Sequence, residues 1–237
     1  MIVNLYENSN VQGYVELIQY MGEDIVTPAG AARASFAKEV NEITPRDIKL
    51  VKYCAREKHS SIFEHNTMTF KFKVPLFVAR QHMRHRTWSY NEVSRRYTSI
   101  DIDFYEPNSF RTQHESNRQA SNEDEIDPVV SFVKGTTICW DTLASDAVVK
   151  HNKESLSLYN KLMDAGVCRE QARMVLPQNL YTTYWGTVNL NNLVKFIHLR
   201  DHEGAQWEIQ VVAQACRKII YEIWPETAKA LFEVNHG

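Results

Sequence analysis

Residues 67–74 constrain the fold of this chain most, because they alternate strictly between apolar and polar side chains. Met68, Phe70, Phe72 and Val74 fall on one side of this segment, and threonines and lysines fall on the other. A period of two is typical of a strand that buries one face and exposes the other. Any fold of this chain therefore has to include a half-buried β-strand here.

Helix-like and strand-like patterns follow one another along the rest of the chain. Helices are predicted at Gly30–Val40, Pro45–Glu57, Leu76–Met83, Pro128–Ala165, Arg169–Leu176, Asn192–Leu199 and Ala205–Ile223. A second strand is predicted at Tyr181–Leu190, and surface loops are predicted at 58–65 and 107–127. These elements form no regular βαβ series, which favours one α+β domain over residues 1–237, with a mixed sheet and several long helices.

Proline and glycine mark several of the predicted helix ends. Thr44 precedes Pro45 and Asp127 precedes Pro128, and each pair has the cap-then-proline order of a helix start. Gly166 follows the predicted long helix and favours its termination there. The helix at 128–165 is thus predicted to be the longest in the chain.

Composition fits a soluble enzyme of ordinary charge. The 237 residues carry a formal net charge of −2, with 43% hydrophobic and 24% charged residues. No apolar run approaches the roughly 20 residues that cross a bilayer, and the N-terminus lacks a signal-peptide pattern. We therefore expect a cytoplasmic protein.

The four cysteines, at positions 54, 139, 168 and 216, are widely spaced and form no metal-binding motif. In a reducing compartment they are expected to be thiols, most of them buried. We expect neither a metal site nor a catalytic cysteine.

Residues 84–97 concentrate positive charge in this near-neutral chain. Four arginines and a histidine occur within fourteen residues, with Glu92 as the one acid among them. Guanidinium groups match phosphate and carboxylate oxygens two at a time. The segment has no clean period and is predicted to be irregular. It suits an anionic small molecule, although a solvated basic face or a nucleic-acid stripe stays open on composition alone.

The order of residues in this segment is more specific than its charge. Arg84-His85-Arg86, followed by Asn91-Glu92, Ser94 and Arg96-Tyr97, resembles the signature of the flavin-dependent thymidylate synthases. Further blocks in the family's order are His59–His65, Phe77–Arg86, Ala172–Pro177, Asn189–Arg200 and Ala205–Ile209. The resemblance covers most of the chain from about residue 59 to residue 220.

The resemblance implies reductive methylation of deoxyuridine monophosphate (dUMP) to thymidylate (dTMP). The methylene would come from 5,10-methylenetetrahydrofolate, and the electrons would come from NADPH through FAD. The family usually forms a homotetramer whose flavin sites are shared between subunits. No Gly-x-Gly-x-x-Gly run is present, so the flavin would be held without a Rossmann fingerprint.

The resemblance also assigns residues to the two sites. Arg200 is expected to act in catalysis by stabilising negative charge on the pyrimidine. Ser94 is expected to bind phosphate and not to act as a nucleophile. The implied dUMP contacts are Gln81, His82, Met83, Arg84, Glu92, Val93, Ser94, Arg95 (through its backbone), Arg96, Arg173 and Arg200. The implied FAD contacts are Ser61, Arg84, His85, Arg86, Glu92, Asn189, Leu190, Asn191 and Lys195.

Two positions depart from the family pattern, and two other functions stay open. Lys195 stands where Asn or His is more usual, and Gly204 stands where His sometimes occurs; either could alter flavin binding. One alternative is a nucleic-acid-binding domain that stacks bases on Trp88, Tyr90 and Tyr97. The other is a flavin- or nucleotide-binding protein that has lost turnover.

Overall fold

A computed structural model describes residues 1–39, 42–118, 120–134 and 137–233 of the chain. The fold class is α+β, as the sequence predicted. The strands are β1 Ile2–Leu5, β2 Gly13–Met21, β3 Thr67–Pro75, β4 Ser89–Glu92, β5 Phe110–Gln113, β6 Ser121–Ile126, β7 Val129–Lys134, β8 Thr137–Leu143 and β9 Tyr181–Asn189. The helices are α1 Val26–Ala34, α2 Pro45–Arg56, α3 Leu76–His82, α4 Ala144–Asp164, α5 Arg169–Ala172, α6 Leu190–Arg200, α7 Trp207–Ile223 and α8 Pro225–Phe232. Short 3₁₀ turns occupy Ser60–Phe63 and Arg173–Val175.

The main sheet has five strands in the order β1-β2-β3-β9-β4. Every described pair in it is antiparallel, so the sheet is antiparallel and not mixed as expected. β3 and β9, the two strands predicted from pattern, pair over nine residues at the sheet centre. β4 is the short edge strand and pairs with β9 from Ser89 to Glu92.

The alternation in β3 places its apolar side chains in the core, as predicted. Met68, Phe70, Phe72 and Val74 are fully or almost fully buried. On the opposite face, the Thr69 hydroxyl lies 2.9 Å from the Thr187 hydroxyl of β9. The apolar face belongs to a core cluster that also includes α6 and α7. This packing fixes the strand ends that carry the site.

The N-terminal and C-terminal regions contain elements that the sequence analysis did not predict. β1 and β2 form one side of the sheet. α1 begins at Val26 and ends at Ala34, so the helix predicted at Gly30–Val40 was placed too late in the chain; Val40 itself lies outside the described residues. Pro225 ends α7, as predicted, but it also starts α8 at its first position.

The predicted 107–127 loop is a hairpin for much of its length. β5 and β6 pair with one another, with Phe110 opposite Ile126. Arg111 ties the hairpin to the body of the protein, because its guanidinium lies 2.7 Å from the Glu208 carboxylate on α7. The polar composition that suggested a loop reflects the exposure of most β6 side chains.

The long helix predicted at 128–165 was only half correct. Residues 129–143 form the hairpin β7–β8, and the helix α4 covers Ala144–Asp164. Asp127 nevertheless caps that helix: its Oδ1 accepts from the Ser145 backbone N–H at 2.9 Å, and its Oδ2 accepts from the Ser145 hydroxyl at 2.6 Å. These bonds lower the pKa of Asp127. The cap signal therefore identified the right helix but missed the hairpin inserted between cap and helix.

Candidate active site

The arginine-rich segment leaves α3, crosses to the sheet edge and enters β4. The prediction that all of it is irregular was wrong for Ser89–Glu92, which form β4 because β9 leaves an edge free for pairing. The Tyr90 hydroxyl closes the connection: it lies 3.0 Å from the His82 carbonyl and 3.2 Å from the His85 carbonyl, and donates to them. The basic segment is thus fastened to the helix end at one side and to the sheet at the other.

His82 belongs to the aromatic core and anchors this connection. Its ring is fully buried, and its Nδ1 lies 2.8 Å from the Tyr184 hydroxyl. The rings of Trp88 and Phe196 lie 4.5 Å from it, centroid to centroid. Burial holds the pKa of His82 well below its ordinary value, so the ring is neutral. The core encloses the His82 ring, and this enclosure limits any contact between the ring and a nucleotide.

His85 and Arg200 form a hydrogen-bonded pair between the basic segment and the end of α6. The Arg200 Nε donates to the His85 Nε2 at 3.2 Å. His85 can accept only when Nε2 carries no proton, which requires the neutral ring protonated on Nδ1. Burial and the Arg200 charge lower the pKa of His85 to about 4. A neutral histidine therefore orients a charged arginine here.

Unpaired positive charge surrounds this pair. Arg84 and Arg86 are exposed, and neither side chain forms a hydrogen bond or ion pair with the described part of the chain. Burial, and secondarily the charge of Arg84, lowers the pKa of Arg200. Arg200 still lies far from deprotonation, because the guanidinium stays charged in proteins. These cations repel one another, and that repulsion favours an anionic ligand.

Gln81 starts a polar chain that runs from α3 to the β5–β6 hairpin. Its Nε2 donates to the Gln206 Oε1, and the Gln206 Nε2 donates to the Glu208 Oε2 at 2.9 Å. The Glu208 Oε1 accepts from Arg111 at 2.7 Å and from the Tyr105 hydroxyl at 3.3 Å. The Arg111 guanidinium also lies 4.9 Å from the centre of the Trp207 ring. Glu208 is a buried carboxylate paired in this way on both oxygens.

Glu92 and Val93 lie where β4 ends. The buried Thr182 donates from its hydroxyl to the Glu92 Oε1 at 2.6 Å, which orients the carboxylate at the sheet edge. The Val93 N–H donates to the Thr183 carbonyl and so continues the edge pairing by one residue. The next residues leave the sheet and form a turn.

Arg95 holds that turn in place. Its guanidinium donates to the carbonyls of Ile100 and Asp101 at 2.5 and 2.8 Å. The side chain is therefore engaged within the chain, and the backbone is the part of Arg95 left for a ligand. The Ser94 hydroxyl accepts from the Arg96 backbone N–H at 3.3 Å and has no titratable side chain among its described hydrogen-bond partners. Nothing in this geometry activates Ser94 as a nucleophile.

Arg96 and Arg173 meet at Glu170. The Arg96 Nε lies 3.6 Å from the Glu170 carboxylate, and the Arg173 Nε donates to the Glu170 backbone carbonyl at 3.2 Å. All three side chains are exposed. The sequence separates these arginines by more than seventy residues, and the fold brings both to Glu170, Arg96 to its carboxylate and Arg173 to its backbone carbonyl. Two exposed guanidinium groups at one place can bind a phosphate from two sides.

The predicted FAD residues outside the basic segment cluster where β9 meets α6. Asn189 caps α6, since its Oδ1 accepts from the Asn192 N–H at 2.9 Å. The Asn191 Nδ2 donates to the Glu64 carboxylate at 2.8 Å, and Leu190 is in the core. Ser61 and Lys195 are exposed. The side chains of Asn189, Leu190 and Asn191 thus serve the fold, and the Leu190 backbone N–H donates to the Asn66 carbonyl at 2.8 Å.

Gly204 has a structural explanation. A Cβ at this position would lie 3.2 Å from the His202 ring and 3.4 Å from the Asn117 amide. The first distance is closer than an ordinary van der Waals contact, so a side chain here would displace the exposed His202 ring. Glycine at this position therefore leaves room for the His202 ring and for Asn117 of the β5–β6 hairpin.

The structure also bears on the cysteines, on metal-binding side chains and on the length of the helices. Cys54 and Cys216 are buried and burial raises the pKa of each thiol, whereas Cys139 and Cys168 are exposed, so the expectation that most are buried was wrong. Over the described residues, no set of three His, Cys, Asp or Glu side chains is arranged to hold a metal ion. None of the helices in this part of the chain is long and apolar enough to cross a bilayer.

The predicted site residues fall into two groups. We call Gln81, Arg84, His85 and Arg200 the helix-side group, because they lie at the ends of α3 and α6. We call Ser94, Arg96 and Arg173 the loop-side group. No side-chain hydrogen bond or ion pair between described residues links the two groups. The sequence analysis assigned no role to Gln206 and Glu208, although both fall in a block that carried the resemblance.

Fold and site together define an α+β protein with a cluster of arginines whose charge suits an anionic ligand, and comparisons with known proteins specify the class further. The family model described as "Thymidylate synthase complementing protein" matches residues 16–226. The chain is 40% identical over 222 residues to a flavin-dependent thymidylate synthase of Thermotoga neapolitana, covering 94% of this chain and 92% of that protein. A protein of the same name from Thermus thermophilus is also 40% identical, over 94% of this chain and 76% of the relative. This chain belongs to the flavin-dependent thymidylate synthase family.

Solved structures agree with the fold. The UMP/dUMP methylase PolB from Streptomyces cacaoi, bound with 5-Br dUMP, aligns with a TM-score of 0.77. The two chains are 29% identical, and the alignment covers 94% of this chain and 96% of PolB. The resemblance expected from the sequence is thereby confirmed at the level of family and fold.

Proposed function

We propose that this protein catalyses the reductive methylation of dUMP to dTMP. 5,10-Methylenetetrahydrofolate supplies the methylene group, NADPH is the reductant through FAD, and tetrahydrofolate is released. The observation that carries the proposal is the Arg200–His85 pair, a charged guanidinium oriented by a neutral ring beside two unpaired arginines. The reaction belongs to dTMP biosynthesis, and we assign it to the cytoplasm and to a single domain over residues 1–237.

The residues present fit a flavin dinucleotide. Its two phosphates need fixed donors, and Arg84 and Arg86 are exposed cations without described partners. Ser61, Glu92, Lys195 and Asn189–Asn191 complete the proposed FAD contacts, with His85 beside them. When bound, FAD supplies the redox chemistry. The chain binds and orients it, and no phosphate-binding glycine motif is required.

The loop-side group suits the phosphate of dUMP. Arg96, in the turn after β4, and Arg173, in the turn after α5, both contact Glu170, and the Ser94 hydroxyl and the Arg95 backbone offer further donors. Charge-assisted bonds from two guanidinium groups hold a phosphate in one orientation. Glu170 occupies part of this position, so phosphate has to displace its weak ion pair with Arg96.

Arg200 is the proposed catalytic residue. A guanidinium near the uracil carbonyl stabilises negative charge that develops on the pyrimidine, and this charge makes C-5 more nucleophilic. His85 keeps Arg200 in place and stays neutral, so it adds no competing charge. Gln81, Met83 and Arg84 line the same side, and the enclosed His82 supports them from within the core. In this proposal Glu92 lies between the nucleotide and FAD, and Val93 contacts dUMP.

The two groups act together across a subunit boundary in this proposal. Tyr97, 74% exposed, and Met174, 76% exposed, adjoin the arginines of the loop-side group. Contiguous apolar patches mark surfaces that a partner covers, and in this proposal these two side chains belong to such a patch. A second copy of the chain, within a homotetramer, would bring its helix-side group to this loop-side group and complete one dUMP and FAD site.

Tritium release from dUMP labelled at C-5 tests the proposed function. The reaction contains purified protein, FAD, NADPH and methylenetetrahydrofolate, and each is omitted in turn. Release that requires all of them supports the proposal. A protein that binds flavin but releases no tritium in the complete mixture would be a binding protein only. Labelled UMP in a parallel reaction measures whether the enzyme distinguishes the 2′-position.

A further inference from the structure

Glu208 is a buried carboxylate that the proposed mechanism does not use. It lies in the first turn of α7, where the helix dipole favours an acidic side chain, and it is 6% exposed. Arg111 reaches it from the β5–β6 hairpin. This hairpin is the segment for which the sequence analysis derived no role. Its anchoring on Glu208 connects it to the nucleotide site.

The charge of this carboxylate dictates the direction of the hydrogen bonds that follow. An ionised carboxylate only accepts, so Gln206 has to present its Nε2 to Glu208. The Gln206 Oε1 then faces Gln81, which has to present its own Nε2 in return. This order follows from the carboxylate, which can only accept hydrogen bonds.

The outcome is a defined orientation of the Gln81 amide. Its Nε2 is engaged with Gln206, and its Oε1 accepts no hydrogen bond from the described residues. Gln81 lies one helical turn before Arg84 and His85. On the proposed function, that free oxygen faces the nucleotide.

We infer that Glu208 is a positioning residue that fixes the Gln81 amide, through Gln206, so that Gln81 presents its carbonyl oxygen to dUMP. Arg111 holds the Glu208 carboxylate in place through their ion pair at 2.7 Å. At neutral pH dUMP has two strong hydrogen-bond donors, the uracil N3–H and the ribose 3′-hydroxyl. The Gln81 oxygen accepts one of them. The chain thereby selects for a donor at that position of the nucleotide.

The experiment compares three nucleotides: dUMP, its N3-methyl derivative and its 3′-deoxy derivative. Dissociation constants are measured by calorimetry on the FAD-loaded protein. In the wild type, the derivative that lacks the accepted donor binds about tenfold more weakly than dUMP, the effect of one hydrogen bond. In Glu208→Gln, which can donate to Gln206 and let both amides turn, that tenfold difference disappears. In Gln81→Ala it disappears as well.

Tyr105→Phe is the matched control. It removes a hydrogen bond from the same carboxylate but leaves the Oε2 contact with Gln206 intact. The nucleotide selectivity of Tyr105→Phe should equal that of the wild type. If Glu208→Gln keeps the full selectivity, or weakens all three nucleotides equally, Glu208 is structural only and the inference is wrong.

A double substitution supplies a second readout. Gln81→Glu cannot donate to Gln206, so it should weaken dUMP binding in the wild-type background. Adding Glu208→Gln allows the Gln206 amide to reverse and donate to the new carboxylate at position 81, so part of the lost affinity should return. Absence of this recovery would contradict the relay. A wild type that binds no dUMP would instead refute the proposed function, which keeps the two failures apart.

Discussion

The helix-side and loop-side groups hold their arginines in opposite ways. Arg200 is partly buried, oriented by His85 and connected through α6 to the core. Arg96 and Arg173 are exposed; Arg96 contacts the Glu170 carboxylate and the Tyr97 ring, and Arg173 contacts the Glu170 backbone carbonyl. A guanidinium held before the ligand arrives can stabilise a transition state without reorganisation. Arginines on an exposed turn are suited to capturing a phosphate, and their ordering adds a cost to binding.

Substitution of Arg200 should have the largest effect. Arg200→Ala removes a preorganised charge, and loss of one such donor commonly lowers kcat by a factor of about 100 to 1000. The KM for dUMP should change much less. Arg200→Lys retains charge but loses the Nε donor to His85, so it should recover only a small part of kcat. Steady-state tritium release measures both constants, and an unchanged kcat in Arg200→Ala would refute the proposed catalytic role.

Substitution of Arg96 should affect binding more than turnover. Arg96→Ala removes a charge-assisted bond to phosphate, which corresponds to a loss in dUMP affinity of about tenfold to a hundredfold. Deoxyuridine, which has no phosphate, is the control ligand. Its affinity should be the same in the variant and the wild type. Equal losses for both ligands would show that Arg96 supports the fold of the turn and does not bind phosphate.

The neutral state of His85 predicts a pH dependence of stability. Its folded pKa of about 4 lies below the ordinary value of 6.5, so the unfolded chain binds the proton more readily. The contribution is fully present above pH 6.5 and is lost as the pH falls toward 4. His82, whose pKa is also lowered, acts in the same direction. Urea unfolding across this range should give a shallower pH slope for His85→Gln, and an unchanged slope would contradict the assignment.

The smallest effect should come from Glu170. Its carboxylate lies 3.6 Å from the Arg96 Nε, and both side chains are at least half exposed, so the pair is weak. Glu170→Gln removes a competitor for the phosphate and should tighten dUMP binding by about twofold to threefold. Glu226→Gln, which breaks a similar exposed pair with Lys229, is the control and should leave the affinity unchanged. Weaker binding in Glu170→Gln would mean that Glu170 orders the arginines.

The sequence predicted those elements whose apolar period matches the face that they bury in the core. β3, β9, α2, α6 and α7 each have a regular apolar period and bury that face in the core. The β7–β8 hairpin was missed because Asp127 and Pro128 carry a helix-start signal and the helix they serve begins at Ala144. A helix-start signal in the sequence indicates that its residues cap a helix, but it does not indicate how many residues separate the cap from that helix.

The site was predictable in its residue types but not in its internal connections. The arginine signature identified Arg84, Arg96, Arg173 and Arg200 as candidates before any coordinates. The link from Gln81 to Gln206 spans 125 residues, and the link from Arg111 to Glu208 spans 97. No periodicity connects positions so far apart. Hydrogen-bond direction along such a chain becomes visible only when the fold has brought its members together.

Complementation between Arg200→Ala and Arg96→Ala, assayed at a dUMP concentration too low to fill the Arg96→Ala site, tests most directly whether the two groups combine across subunits. Arg200→Ala removes one arginine of the helix-side group, and Arg96→Ala removes one arginine of the loop-side group. Co-expressed with different tags and purified as mixed oligomers, they should regain about a quarter of wild-type tritium release, because random pairing restores one site in four. Mixed oligomers no more active than the separate variants would show that each chain builds its own site.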